Sequence, residues 1–246
     1  MLKAVFFGFH GVVINDEHIH PQLIEQLLLA ENLRFDKEDY YQLYLGYSDR
    51  AQLADLLKQR GRFVQDDYID RLLAQKAEGY RIWLESGVKL SPYVGLEDLL
   101  YSIRRRGYST AIVTGAQRAD VMQVLNAIGL SEAFPLVVSA SDMAVTASKP
   151  APDSYLEAID RLNQQQPGLN LAPTNCLAIE SCFTGIKAAQ AAGIPVVGVA
   201  QIYPYHMMQR RATWAVDYLN EIDFEWIGRW YEAGSNTATM VEKPAV

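Results

Sequence analysis

Cysteine is scarce in this chain of 246 residues: there are two, Cys176 and Cys182. If the apolar run Cys176-Leu177-Ala178-Ile179 is a strand, six residues at ~3.3 Å apiece hold the two cysteines ~20 Å apart. A disulfide tolerates a Cα separation of at most ~7 Å, so the pair is expected to stay reduced. That excludes a disulfide scaffold and points to a reducing compartment. Long apolar runs are also missing, and none approaches the ~20 residues of a membrane span. Residues 1–13 are apolar but short, carry one lysine and lack a small-residue cleavage site. The expected location is cytoplasmic. Positive charge is in deficit too, with 22 Lys and Arg against 29 Asp and Glu. The pI near 5.1 argues against broad attraction to nucleic acid or an anionic membrane. The local basic run Arg104-Arg105-Arg106 reads as the cationic end of a helix.

What the chain does have is the material for a core. Half its residues are hydrophobic and 21% are charged, the balance of an ordinary globular protein. From residue 3 to residue 9 the chain reads Lys-Ala-Val-Phe-Phe-Gly-Phe, a strand buried on both faces. Residues 16–85 then show helical stripes and no comparable strand. Leu23, Ile24, Leu27 and Leu28 make one face, Leu53, Leu56 and Leu57 a second, and Ile69, Leu72, Leu73 and Tyr80 a third. Beyond Pro92 the pattern alternates. Strands at Tyr108 to Val113, Leu136 to Val138, Cys176 to Ile179 and Val196 to Val199 are separated by helical faces. Such alternation predicts an α/β fold with a doubly wound parallel sheet. The expected domains are a core of residues 1–15 and 89–233, an inserted all-helical cap of 16–88 and a flexible tail of 234–246. Ligands of such sheets bind at the carboxyl ends of the strands.

Four motifs occupy those ends: Phe6-Phe7-Gly8-Phe9-His10-Gly11-Val12, Ile112-Val113-Thr114-Gly115, Ser148-Lys149-Pro150-Ala151-Pro152-Asp153 and Leu177-Ala178-Ile179-Glu180-Ser181. Taken in this order they resemble the haloacid dehalogenase (HAD) superfamily, in its β-phosphoglucomutase and phosphoglycolate-phosphatase-like branch. The likeness spans roughly residues 1–230. It implies a Rossmann-like core with a helical cap, and phosphoryl transfer through an aspartyl-phosphate with Mg²⁺. In that scheme a first-motif Asp attacks phosphorus and a second Asp, two residues on, is general acid and base. A Thr or Ser and a Lys hold the phosphate, and fourth-motif carboxylates complete the metal site.

The chain departs from this pattern where the chemistry is concentrated. The resemblance assigns the nucleophile to Gly8, which has no side chain, and the acid/base to His10. The fourth-motif acidic pair is Glu180-Ser181, leaving Glu180 as the one metal carboxylate and Ser181 as an altered ligand. Thr114, Gly115, Lys149 and the Gly11 loop keep the phosphate-holding half. At the motif positions Glu180 and Lys149 cancel, and a protonated His10 adds positive charge. No cofactor is therefore expected, since Mg²⁺ has lost most of its ligands. A phosphorylated small molecule, or a phosphate or sulfate ion, is expected to bind without it. On the cap side His20, Ser48 and Arg50 are candidate substrate contacts, with Asp49 intervening where relatives read Ser-Arg.

Each residue also has a plainer reading. Lys149 and Glu180 either hold phosphate or close into an ion pair, Thr114 either binds an anion or caps the next helix, and His10 is either a general base or a hydrogen-bonded filler. His18 and His20 have poor ligand spacing and suit a hinge. Cys182 reads as a small inert hydrophobe. Tyr203, Tyr205, Trp214, Tyr218, Phe224, Trp226, Trp230 and Tyr231 either complete the core or form an interface with a protein partner or a second copy. The function expected is that of a pseudoenzyme binding a phosphorylated molecule or a protein. The alternatives are a phosphatase or phosphomutase working through His10, and a pure interaction module built on the aromatic C-terminal region.

Overall fold

The computed structural model describes residues 1–142 and 147–233. The tail expected at 234–246 lies outside the described residues. Strand β1 (Ala4–Phe7) is apolar at every position and completely buried. It lies at the centre of a six-stranded parallel sheet with β2 (Ser109–Val113) on one side and β4 (Cys176–Glu180) on the other. Strand β3 (Leu136–Val138) extends the sheet beyond β2, and β5 (Val196–Val199) and β6 (Trp214–Val216) extend it beyond β4, giving the order β3-β2-β1-β4-β5-β6. Phe7 pairs with Ile112 on one flank and with Ile179 on the other. This register brings the carboxyl ends of β1, β2 and β4 level, so the residues that follow them emerge side by side.

Four helices make up the segment that follows β1: α1 (His20–Ala30), the short α2 (Lys37–Asp39) that runs into a π turn at Tyr40–Tyr44, α3 (Asp49–Gln59) and α4 (Asp66–Glu85). They bury the expected stripes in a cluster of their own, in which Ile24, Leu28, Leu53, Leu56, Leu57 and Leu72 meet. Tyr80 faces the other way and joins the main core. Among the described residues no strand interrupts this segment.

After β2 the chain alternates as a parallel sheet requires. Helices α5 (Leu96–Arg105), before β2, and α6 (Arg118–Ala127) cover one face, and α7 (Asp153–Gln165) and α8 (Phe183–Ala191) cover the other. A parallel sheet needs both faces covered, because its strands are apolar on each. Helix α5 ends in the arginine run, as its charge predicts. The short α9 (Tyr205–Gln209) and α10 (Phe224–Glu232) finish the described chain. Most of the C-terminal aromatics pack inward. Phe224 and Tyr231 are buried, and Trp214, Trp226 and Trp230 lie against the same core, with Trp214 5.0 Å and 5.5 Å from the other two rings. Tyr205 and Tyr218 remain exposed. Both cysteines are free and buried.

Candidate functional site

The loop after β1 is fixed by its neighbours. The Gly8 N–H donates to Ile179 O at 2.9 Å, and beyond β2 the Thr114 N–H donates to Val138 O at 2.9 Å. Gly11 has φ +77°, and a Cβ there would lie 2.4 Å from Ser181 Oγ, so only glycine fits. Its N–H donates to Ile14 O at 3.0 Å. That bond corrects one expectation: Gly11 makes the turn, and its amide is not free for a phosphate. Thr114 is buried and its Oγ1 accepts from the N–H of Ala116, the residue before the Gln117 cap of α6, at 3.1 Å.

Glu180 sits in a space left by two glycines. A Cβ on Gly8 would lie 2.8 Å from Glu180 Oε2, and one on Gly185 only 2.2 Å from its Cδ. The carboxylate thus fills the volume where a side chain at position 8 would begin. Lys149 Nζ donates to Glu180 Oε1 at 2.5 Å and to Val113 O at 2.8 Å. The Tyr155 hydroxyl donates to the same Oε1 at 2.6 Å. Lys149 and Glu180 are 5% and 2% exposed, which makes this a closed ion pair in a dry setting. Mg²⁺ requires several hard oxygen ligands in near-octahedral array. The residues here do not fit it. Gly8 offers no side-chain ligand, Ser181 offers a hydroxyl that donates to His10 O at 3.3 Å, and Glu180, the one carboxylate at the motif positions, is already held by an ammonium and a phenol. Cys182 lies alongside; burial and the nearby Glu180 charge push its thiol well up, which is the inert behaviour its sequence suggested.

A second cluster joins the β1 loop to the helical insertion. His10 Nδ1 is 2.7 Å from Asp16 Oδ1, and Tyr80 of α4 donates its hydroxyl to Asp16 Oδ2 at 2.5 Å. His20 Nε2 lies 3.1 Å from His10 Nδ1, and Lys76 Nζ is 3.3 Å from His20 Nδ1 and 2.6 Å from Asp49 Oδ1. Asp16 is fully buried. Burial alone would raise its pKa, but the His10 charge and hydrogen bond outweigh this and hold it far below the usual carboxylate range. Burial lowers the His10 imidazole and Asp16 raises it; Asp16 prevails, so His10 titrates above its ordinary value. His20, desolvated and facing His10 and Lys76, falls to about 4.

The ligand atoms of His10, Asp16 and His20 lie within 4.8 Å of one another, close enough to consider a metal. Lys76 argues against it. A His20 bound through Nε2 must carry its proton on Nδ1, and that proton would face the lysine ammonium. The cluster is better described as a polar network around Asp16, in which Lys76 donates to a neutral His20 and His20 Nε2 lies 3.8 Å from Asp16 Oδ2.

One cavity of about 60 Å³ gathers Gly8, His10, Thr114, Gly115, Lys149, Glu180 and Ser181 from the core with His20, Asp49, Gln52 and Lys76 from the insertion. Ser48 and Arg50 are not in it. They line an adjoining cavity of about 180 Å³ that shares Thr114, Gly115 and Lys149. Ser48 caps α3, accepting from the Ala51 N–H at 3.3 Å, while Arg50 reaches Asp66 and Asp70 of α4. Two buried polar atoms have no partner among the described residues: Gln52 Nε2 in the first cavity and Ser154 Oγ in the second.

The charge balance expected from the motif positions needs correction. Glu17, Asp49 and Asp120 also line the cavity, and Asp16 stands behind His10. Three of the carboxylates face cations: Glu180 faces Lys149, Asp49 faces Lys76, and Asp16 faces His10 when the imidazole is protonated. Burial pushes up the other two carboxyls, Asp120 to about 6 and Glu17 above its ordinary value, although His10 and the Tyr40 hydroxyl oppose the latter. The site is neutral by pairs, not positive. Sequence reasoning did not assign roles to Lys76, Gln52, Asp120 or Tyr80. For Lys76 a signal was present, since it interrupts the apolar stripe Ile69, Leu72, Tyr80 at helical spacing.

Comparison with known proteins agrees with this architecture. The family model described as haloacid dehalogenase-like hydrolase matches residues 2–193. Protein CbbY of Rhodobacter capsulatus is 32% identical over 201 residues, covering 80% of this chain and 84% of that protein. Fructose-1-phosphate phosphatase YqaB of Escherichia coli (strain K12) is 28% identical over 196 residues, covering 80% of this chain and 95% of that protein. Among solved structures, β-phosphoglucomutase (pgmB) from Clostridium difficile shares the fold with a TM-score of 0.80 at 23% identity, covering 95% of this chain and 98% of that one. CbbY from Rhodobacter sphaeroides in complex with phosphate does so with a TM-score of 0.74 at 22% identity, covering 90% and 96%. With its parallel sheet, its strand-end motifs and these relatives, the chain belongs to the haloacid dehalogenase-like hydrolase family.

Proposed function

We propose that this protein binds a phosphorylated small molecule in the strand-end cavity, with the phosphoryl group beside Thr114 and Lys149, and without the Mg²⁺-dependent aspartyl-phosphate chemistry of its family. The observation that carries the reading is one partly open cavity holding Lys149, His10, Lys76 and the unpartnered Gln52 amide, with Gly8 where the nucleophilic carboxylate is expected. Relatives support the ligand class by name, one being a fructose-1-phosphate phosphatase and another a CbbY solved with phosphate. At roughly 10–15 Å³ per water-sized group, the 60 Å³ cavity admits about four such groups. That suits a tetrahedral oxyanion, and the rest of the ligand requires the insertion to shift. We take residues 16–88 as the moving cap.

Because Lys149 and Lys76 already face Glu180 and Asp49, an incoming dianion brings uncompensated charge. Protons supply the remedy. Asp120 and Glu17, neutral, become donors, and a charged His10 adds attraction. The binding is expected to strengthen as pH falls through the raised pKa of His10 and on toward about 6, where Asp120 takes up its proton. In a thermal melt with inorganic phosphate and EDTA, phosphate at a hundred times Kd should stabilise the chain by about 2.7 kcal/mol. No stabilisation by phosphate in EDTA, with stabilisation restored by Mg²⁺, would overturn the reading. A saturable Mg²⁺ site in calorimetry on the free protein would count against it as well.

A further inference from the structure

His10 has an arrangement that binding alone does not require. Asp16 fixes Nδ1 at 2.7 Å, and Tyr80 holds the other carboxylate oxygen at 2.5 Å, so the carboxylate is anchored at both ends. Nε2 has no hydrogen-bond partner among the described residues, yet it is not one of their buried unpartnered atoms, so it opens on the cavity that His10 lines. A carboxylate on one imidazole nitrogen sets the tautomer and leaves the lone pair of the other facing outward. In the same cavity Gly8 presents no nucleophile, and Glu180 is held by Lys149 and Tyr155. A phosphoryl acceptor is missing from the expected place, and an oriented imidazole stands two residues away.

We propose that His10 Nε2 accepts the phosphoryl group of the bound molecule and forms an N-phosphohistidine without a metal ion. This rests on the reading that the cavity takes a phosphorylated ligand. The Nε2 lone pair forms the N–P bond as the P–O bond to the alcohol breaks. The alcohol oxygen leaves with that electron pair and takes the proton of the Asp120 carboxyl, which lines the cavity and has no hydrogen-bond partner among the described residues. The ring, now bonded at both nitrogens, gains positive charge, and the Asp16 carboxylate beside Nδ1–H balances it. Lys149 uses two of its three N–H groups on Val113 and Glu180, and the third serves the transferring oxygens. A phosphoryl transition state is loose and gains little from a base acting on water. Positioning carries most of such a transfer, and the Asp16-anchored imidazole is positioned.

The test uses the whole chain, radiolabelled acetyl phosphate and EDTA. The expected product carries one phosphoryl group per chain, labile to acid and stable to base, unlike an acyl phosphate, and peptide mapping of the wild type places it on His10. His10→Gln should abolish labelling, while the exposed His206→Gln should not. Asp16 is a positioning residue, so Asp16→Asn should slow labelling by on the order of 10²-fold or more, as the same change does in catalytic triads. It should also shift the pH profile of labelling downward, because His10 loses the charge that raises its pKa while Glu17, Lys76, His20 and Tyr80 still face it. With glycerol phosphate as donor, Asp120→Asn should slow transfer, whereas acetyl phosphate should not need that proton. Label that base removes, label elsewhere in the chain, or no label while phosphate still raises Tm would each overturn the proposal and leave the binding reading standing. No label and no protection by phosphate would remove both.

Discussion

Lys149 shows how one side chain can serve two roles in opposite directions. Paired with Glu180 in a dry site, it satisfies a carboxylate that has no water to turn to. Removing one partner of such a pair costs about 3–5 kcal/mol, because the other charge stays buried and uncompensated. Lys149→Ala should therefore lower stability by that amount in urea melts, and in the same protein phosphate protection should largely vanish. A variant that kept its stability would mean that the pair is wet and open. His20 makes a second residue-scale prediction. Its folded pKa near 4 lies below the ordinary 6.5, so the unfolded chain binds the extra proton between those values. Its stabilising contribution is complete above pH 6.5 and is lost as pH falls toward 4, a change on the order of 3 kcal/mol. Asp120, raised to about 6, acts in the opposite sense over much of this range, so the wild type alone conceals the effect. The comparison that exposes it is wild type against His20→Asn, with the variant gaining ground as pH drops.

At the scale of elements, the loop before α3 decides how the insertion meets the core. Gly46 has φ +90°, and a Cβ there would lie 2.6 Å from Cys182 Sγ. The loop can approach β4 this closely only because position 46 carries no side chain. Gly46→Ala should cost about 1–2 kcal/mol from the left-handed backbone alone. It should also push the loop off the strand ends and weaken phosphate protection. Urea melts and phosphate titrations on the same variant separate the two effects. An unchanged phosphate affinity would show that the loop does not shape the cavity. Gly115 makes the mirror contact from the core, with its Cβ position 2.8 Å from Tyr47 O. Two glycines, one on each side, bring the walls of the site together.

For the whole molecule, charge neutrality achieved by pairs means that ligand binding and proton binding are coupled. A dianion entering the site should be accompanied by proton uptake, shared among His10, Asp120 and Glu17. Calorimetry of phosphate binding in buffers of different ionisation enthalpy measures that number directly. Binding with no proton uptake near pH 7 would mean that a pair opens instead, most simply Lys149 leaving Glu180. Phosphate protection should fall steadily as pH rises from 6.5, since His10 loses its charge as pH passes its raised pKa.

The sequence alone determined what depends on local period and on strand ends. The doubly wound sheet and the helical segment followed from apolar spacing, because a strand buried on both faces and an amphipathic helix leave patterns within a few residues. Gly8, His10, Thr114, Glu180 and Ser181 were legible because each comes just after or at the end of a strand, and the level ends of β1, β2 and β4 bring them into one cavity, which Lys149 enters from the segment before α7. Gly11 was rightly seen at a turn and wrongly counted as a donor, since only the fold shows its N–H spent on Ile14. Ser48 and Arg50, named as substrate contacts, open on the adjoining cavity instead. Lys76, Tyr80, Gln52 and Asp120 are far from the motifs in sequence, and their meeting with His10 and Asp16 is the work of helix packing over the strand ends. The same holds for the charge of the site. Net charge at four motif positions can be counted from a sequence, but which carboxylates burial forces together, and which cations meet them, is decided by tertiary structure, because Coulomb energy depends on distance and desolvation and not on order along the chain.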